Sequence, residues 1–466
     1  MNFIEAMQTQ DNLTENGMVT NSSSLNECVN LFFSIGAMRG QDKNRLISLF
    51  SKAYQENPLT AMRILFWSRD ARSGAGERQI FRDILVYLAE NQTASLRKNI
   101  KLISEFGRWD DLHVLFGTKL HNDAVQAVKN GLNEKNGLAA KWTPRKGFVF
   151  ETMRKAYGMS PKEFRKMIVG LSETVEQKMC SKKWYDIKYP SVPSLAMSRY
   201  SGAFKRNDES RFSSFIEDLK SGKVKINASA VYPYNVVQNM RMGSWELANE
   251  QWKALPNYME NAKGYILPVV DVSGSMSSIA SGTVSCLDVA ISLGLYISER
   301  NVGVFKDAFI TFSESPTLEV VKGNLKQRYE QMRDANWGYN TNLEKVFDLI
   351  LNQAIKNNLS QDQMPEKVLI ISDMEFDSAV KNSESAYVMI RNKYKSSGYE
   401  MPNVYFWNVQ SRNAGNFPVK FDEKGTALIS GLSPSVLKNI LASKDIDPSS
   451  TMMDVIGDER YSKIIV

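Results

Sequence analysis

The chain has 466 residues, 43% of them hydrophobic and 23% charged, with a net charge of +7. These proportions belong to a folded chain and exclude a mostly disordered polymer, a collagen-like repeat and a disulfide miniprotein. No apolar run approaches the ~18–20 residues needed to cross a bilayer, and the N-terminus lacks the basic start and apolar core of a secretory signal. A cytoplasmic protein, or one inside a virion if the source is viral, is expected. Cys28, Cys180 and Cys286 lie far apart and form no CxxC pair, so neither a disulfide framework nor a zinc site follows. Of the two histidines, His113 and His121, the first sits in an apolar helix-like stretch and reads as a packed or capping residue.

In chain order, residues 1–25 are polar and rich in Asn, Ser and Thr, and are expected to form a flexible leader. From about 26 to 260 the pattern is helical. Phe81, Ile84, Leu85 and Leu88 fall at i, i+3, i+4 and i+7. Ala61, Ile64 and Leu65 make a second stripe, and Ile100, Ile103 and Phe106 a third. Short stripes between Gly and Pro breaks predict stacked helical pairs without a strict sequence period. Ser160 and Glu163 flank Pro161 as a capping box, ahead of a face formed by Phe164, Met167, Ile168, Leu171 and Val175.

The pattern changes near Gly264. Strands are predicted at 265–270, 308–312, 367–372, 404–409 and 427–430, with helices between most of them. Apolar strands alternating with helices predict a parallel sheet covered on both faces, over 261–466. Ligands of such sheets sit beyond the carboxyl ends of the strands.

Oxygen-bearing side chains cluster at those ends. Asp271, Ser273 and Ser275 form a DxSxS string after the first strand, Thr341 precedes a helix, and Asp373 follows the strand 367–372. Two carboxylates and three hydroxyls suit a hard cation, Mg²⁺ before Mn²⁺ or Ca²⁺. A strand-end turn with capping serines is the plainer reading of DxSxS alone. A dehalogenase-type phosphatase would need a second Asp where Ser273 stands, and no GxxxxGK[ST] loop is present. A non-catalytic protein is expected.

The basic excess is local. Residues 141–230 hold 19 Lys and Arg against 9 Asp and Glu, and the remainder is slightly acidic. Such a segment suits a polyanion, although a solvated lysine-rich surface has the same composition. Lys141, Trp142, Arg145 and Lys146, then Arg154 and Lys155, then Lys182 and Lys183 beside Trp184, combine cations with aromatic rings. Cations track phosphates and rings stack bases; core packing is the competing role for Trp142 and Trp184.

Several stretches carry a family resemblance: FWSRDARSGAGE (66–77), GRWDD (107–111), AAKWTPRK (139–146), VPSLAM (192–197), WGYNTN (337–342) and SDMEFD (372–377). Together they resemble the Ro autoantigen family, a TROVE-type helical-repeat ring followed by a von Willebrand factor A domain, in a branch found in cellular and viral proteins. The resemblance implies a HEAT-like N-terminal domain, possibly a ring, and a doubly wound Rossmann-like C-terminal domain. It assigns Asp271, Ser273, Ser275, Thr341 and Asp373 to a metal-ion-dependent adhesion site, with an acidic protein ligand as the partner there. The family often has glycine after the last Asp, where this chain has Met374 and then Glu375 and Asp377. It also implies a ribonucleoprotein: single-stranded RNA ends in a basic channel, small structured RNA outside, no membrane, a monomer. The alternative is a metal-dependent assembly module of a virion or complex, without an RNA role.

Overall fold

The computed structural model describes residues 11–466 apart from 229, 261, 263, 314, 336–340, 377–385, 414 and 442–445. Two short strands, β1 (Asp11–Leu13) and β2 (Val19–Asn21), open the chain as an antiparallel hairpin. Helices follow from Glu27–Ile35 to Trp245–Lys253. The C-terminal half contributes β3 (Ile266–Asp271), a small hairpin of β4 (Ile279–Ser281) and β5 (Val284–Ser285), β6 (Ala308–Phe312), β7 (Leu318–Val320), β8 (Lys367–Ser372), β9 (Asn403–Asn408) and β10 (Thr426–Ser430).

Local chemistry sets the helix ends. The Asn57 side chain accepts from Thr60 N–H while Pro58 takes the first helical position of Pro58–Arg69. Ser160 and Glu163 close their reciprocal cap. That helix ends at Ser172, because Glu173 turns left-handed, and Val175 starts the next one, Val175–Cys180. The apolar stripes Phe81/Ile84/Leu85/Leu88 and Ala61/Ile64/Leu65 are fully buried, and Ile103 and Phe106 nearly so.

The main sheet has the order β10-β9-β8-β3-β6-β7, parallel except for β7. Every residue of β3, β6, β8 and β10 is buried, as expected when helices cover both faces. The chain steps from β3 to β6 on one side, then returns to β8 on the other. The strand order therefore reverses between β3 and β8, where Asp271 and Asp373 stand, and such a switch point opens a crevice beyond the strand ends.

Two findings differ from the sequence reading. The leader expected over 1–25 is, from residue 11, a docked hairpin. Its polar side chains are engaged rather than solvated: Asn12 donates to Gly415 O, Thr14 to Phe376 O, Asn16 to Glu375 O, and Asn21 pairs with Phe417. The second concerns the cores. A single apolar cluster runs from Met18 through the first helices into the sheet and on to Ile464. A smaller one, built around Tyr189, Phe204, Phe212 and Phe215, belongs to the middle of the helical half alone.

Both ends of the helical half rest on the α/β half. Glu27–Ile35 packs on β10, and Pro233–Arg241 packs on the helix Cys286–Arg300. At the first junction Gly36 N–H donates to Ser430 Oγ, whose hydroxyl donates to Phe32 O. A Cβ on Gly36 would lie 2.7 Å from the Ser430 carbonyl carbon and oxygen, which are backbone and cannot swing aside. Gly36→Ala is therefore expected to cost about 1–3 kcal/mol of stability, read by urea denaturation; an unchanged midpoint would mean that this junction is not tight.

Candidate functional sites: a carboxylate–hydroxyl cluster and a basic cavity

Four of the five proposed ligands meet at the ends of β3 and β8. Asp271 is fully buried, and Ser273 and Asp373 nearly so. Asp271 Oδ1 accepts the Ser273 N–H at 2.9 Å, and its Oδ2 accepts the Ser372 hydroxyl at 2.6 Å. The Ser273 and Ser275 hydroxyls are 2.9 Å apart. The fifth, Thr341, is buried beside them and donates its hydroxyl to the Glu375 carbonyl at 3.1 Å. The rest of the WGYNTN loop through 340, and Asp377, lie outside the described residues.

Burial raises the proton affinity of both carboxyls, and for Asp271 the neighbouring Asp373 charge adds to it. Asp373 has a cation beside it, Arg412, at 2.9 Å. Asp271 receives only neutral donors. A buried carboxylate facing a second one calls for positive charge. Among the described residues no three His, Cys, Asp or Glu side chains converge as a metal site. The donor set is instead two carboxylates with hydroxyls, which fits a hard cation that keeps part of its water shell. Met374 adopts φ 65°, the left-handed backbone that glycine favours. Glu375 faces elsewhere: its carboxylate accepts from Glu15 N–H, Asn413 and Asn416, and so clamps the hairpin.

A second feature lies under the helical arch. A cavity of about 980 Å³ is walled by residues 38–46, 69–83 and 107–108 from one end of the arch, Leu195 and Arg199 from its middle, 230–235 from its other end, and 279–282 from the α/β half. Arg39, Lys43, Arg69, Arg78, Arg108 and Arg199 line it, against Glu77 and Asp83. Arg78 and Arg199 are exposed and make no ion pair among the described residues.

Buried acids hold the other arginines in the wall. Asp111, fully buried, accepts from Arg69 Nε at 2.7 Å and Arg82 Nε at 2.6 Å. Asp110 grips Arg82 and Arg108, and Glu77 grips Arg39 at 2.6 Å. Asp70, also buried, takes the Arg460 guanidinium and thereby ties the first helices to the chain's last turns. The acids of the FWSRDARSGAGE and GRWDD stretches thus position arginines.

The eight residues expected to bind nucleic acid fall elsewhere. None of them is among the residues lining the cavity. Arg145 donates to the Ala140 and Thr143 carbonyls and fastens its own turn. Arg154 pairs with Glu151 and the Met159 carbonyl. Lys141 lies 3.8 Å from Glu176. Lys146, Lys155, Lys182 and Lys183 are exposed and do not line the cavity. Trp142 is half-buried with the Arg108 guanidinium 3.9 Å over its ring, so it backs a cavity residue; Trp184 packs against the smaller core. The cavity cations are spread thinly over 39–108 and Arg199, so they form no dense run in the sequence. The visible trace of the inner set is the Arg–Asp alternation of the two motifs.

Burial pushes the His113 imidazole down to about 4, and its Nε2 has no partner among the described residues.

Comparison with known proteins places these features as follows. Two family models match. Residues 266–463 match a domain of unknown function, DUF7788, and residues 14–115 and 149–264 match another, DUF2828. The uncharacterized protein L728 of Acanthamoeba polyphaga mimivirus is 28% identical over 503 residues, covering 95% of this chain and 86% of that protein. The crystal structure of the Deinococcus radiodurans Ro (RSR) protein matches 89% of this chain and 91% of that one, at 12% identity and a TM-score of 0.40. No helix among the described residues is long and apolar enough to cross a membrane.

Removing Asp111 leaves two arginine guanidiniums facing each other without their shared anion. Asp111→Ala is expected to lose about 3–5 kcal/mol of stability in chemical denaturation. A loss below 1 kcal/mol would mean that solvent already screens the pair.

Proposed function

We propose that this protein is a non-catalytic RNA-binding protein of Ro type. Flexible single-stranded RNA enters the basic cavity under the helical arch. A von Willebrand A-like α/β half closes that arch and carries a metal-dependent site for an acidic partner group. The observation behind the reading is the cavity itself, with six basic and two acidic side chains drawn from four separated parts of the chain. Arg78 and Arg199 are available for phosphates, and Tyr232, half-buried and stacked on the buried Tyr234 ring 5.7 Å away, lines the same wall. Phosphate charge supplies sequence-independent affinity, and aromatic faces accept any base. The exposed lysines outside, Lys146, Lys155, Lys182 and Lys183, would meet the backbone of a structured RNA.

Asp271, Ser273, Ser275, Thr341 and Asp373 would hold the ion, with Mg²⁺ favoured over Mn²⁺ and Ca²⁺ by the oxygen donors. Bound there, it supplies a positive centre to an incoming acidic group. The residues themselves orient the site: Ser372 fixes one Asp271 oxygen, and the Ser273 N–H fixes the other. A cytoplasmic or virion setting suits either partner.

Affinity for a labelled single-stranded RNA is expected to fall steeply as salt rises, with a log–log slope of about −0.7 per phosphate neutralised. The triple variant Lys43→Glu, Arg78→Glu, Arg199→Glu is expected to bind more than tenfold more weakly across RNA sequences. Unchanged affinity would remove the cavity from the RNA path, and absence of any RNA binding would favour the assembly-module reading. For the ion, millimolar Mg²⁺ is expected to raise the thermal midpoint of the wild type but not of Asp271→Asn. Equal shifts in both would place the ion elsewhere.

A further inference from the structure

Arg412 puts a positive charge on the metal cluster that the DxSxS pattern does not foresee. Its terminal nitrogen lies 2.9 Å from Asp373 Oδ2 and 3.4 Å from the carboxylate of Glu15, on the N-terminal hairpin. The grip is incomplete. Arg412 Nε is buried without a hydrogen-bond partner, and the other terminal nitrogen reaches the Ser275 carbonyl only at 3.5 Å. A guanidinium bound through one nitrogen holds a carboxylate less firmly than a two-pronged fork.

The backbone beneath Arg412 is pinned separately. The Arg45 guanidinium donates to the carbonyls of Ser411, Arg412 and Asn413 at 2.7, 2.9 and 2.7 Å, and Ser411 N–H donates to Ala37 O. The loop's attachment to the helical half therefore does not depend on where the Arg412 guanidinium sits. Glu15 is the acceptor at hand. Its carboxylate is 52% exposed and is held in place by Asn413 at 2.8 Å, so a guanidinium moving onto it leaves no charge buried alone.

We infer that Arg412 is an internal counter-cation that competes with the divalent ion for Asp373 and withdraws onto Glu15 when the ion binds. The inference rests on the ion site proposed above. Without the ion, Arg412 offsets one of the two buried carboxylates. A dication and the guanidinium on the same carboxylate would repel each other, so one displaces the other. Ion affinity is then set by a residue that is not a ligand, in a loop that the helical half positions.

Calorimetric titration of the full chain with MnCl₂ tests this. Arg412→Gln is expected to bind Mn²⁺ at least tenfold more tightly than the wild type, with Arg412→Lys between them. Glu15→Gln is expected to bind severalfold more weakly in the wild-type background and to have no effect in the Arg412→Gln background. That loss of effect separates withdrawal onto Glu15 from simple removal of a nearby negative charge. Equal affinities of the wild type, Arg412→Gln and Arg412→Lys would overturn the competition and leave the ion site standing. No binding heat in the wild type or any of these variants would remove the ion site and this inference together. If Arg412→Gln does not fold, the Lys variant and the Glu15→Gln comparison decide the question.

Discussion

Among the described residues, no further strand lies beyond the β10 edge of the main sheet. The first helix lies there instead, close enough that the residue after it must be glycine and that one hydroxyl, on Ser430 of β10, bonds two backbone groups of that helix end. This contact makes the arch possible. It fixes where the helical half begins, and Pro233–Arg241 on Cys286–Arg300 fixes where it ends. Between two anchored ends the helices must bow outward, and the space beneath them is the basic cavity. The same docking brings Arg45 over the loop that carries Arg412, so the two candidate sites share one mechanical frame.

The sheet was the most legible part of the sequence. Apolar runs of four to six residues locate β3, β6, β8, β9 and β10 to within a residue. Period and burial agree there, because a strand covered on both faces has no reason to alternate. The strand β7 escapes such a reading: its Leu318-Glu319-Val320 is short, half exposed and at an edge. The β1–β2 hairpin escapes it for a different reason. Its Asn and Thr side chains look like those of a solvated leader until the carbonyls of 375–376 and 415–417 are brought against them, from more than 350 residues away.

The two sites differ in the same way. The carboxylate–hydroxyl cluster is written in short motifs at strand ends, and the fold needs only to bring two adjacent strands into register to gather Asp271, Ser273, Ser275 and Asp373. The cavity's cations come from four regions, each contributing one or two, and only the fold makes them a set. Counting charge along the chain favours dense clusters such as 141–146, whose one arginine, Arg145, fastens a local turn. Arg412 was invisible for a related reason. An isolated arginine after a strand has no distinguishing context until Asp373 and Glu15 stand on either side of it.

The middle of the arch keeps its own small core, around Tyr189, Phe204, Phe212 and Phe215, apart from the large one that unites both anchored ends. Opening a segment exposes only the apolar surface of its own cluster, so this crest can loosen at a lower free energy than the base. Deuterium would then enter amides of 194–220 before those of 58–91 or β8. The arch would behave as a rigid base with a pliable keystone, and Arg199, carried on that keystone, would move relative to the cations below it.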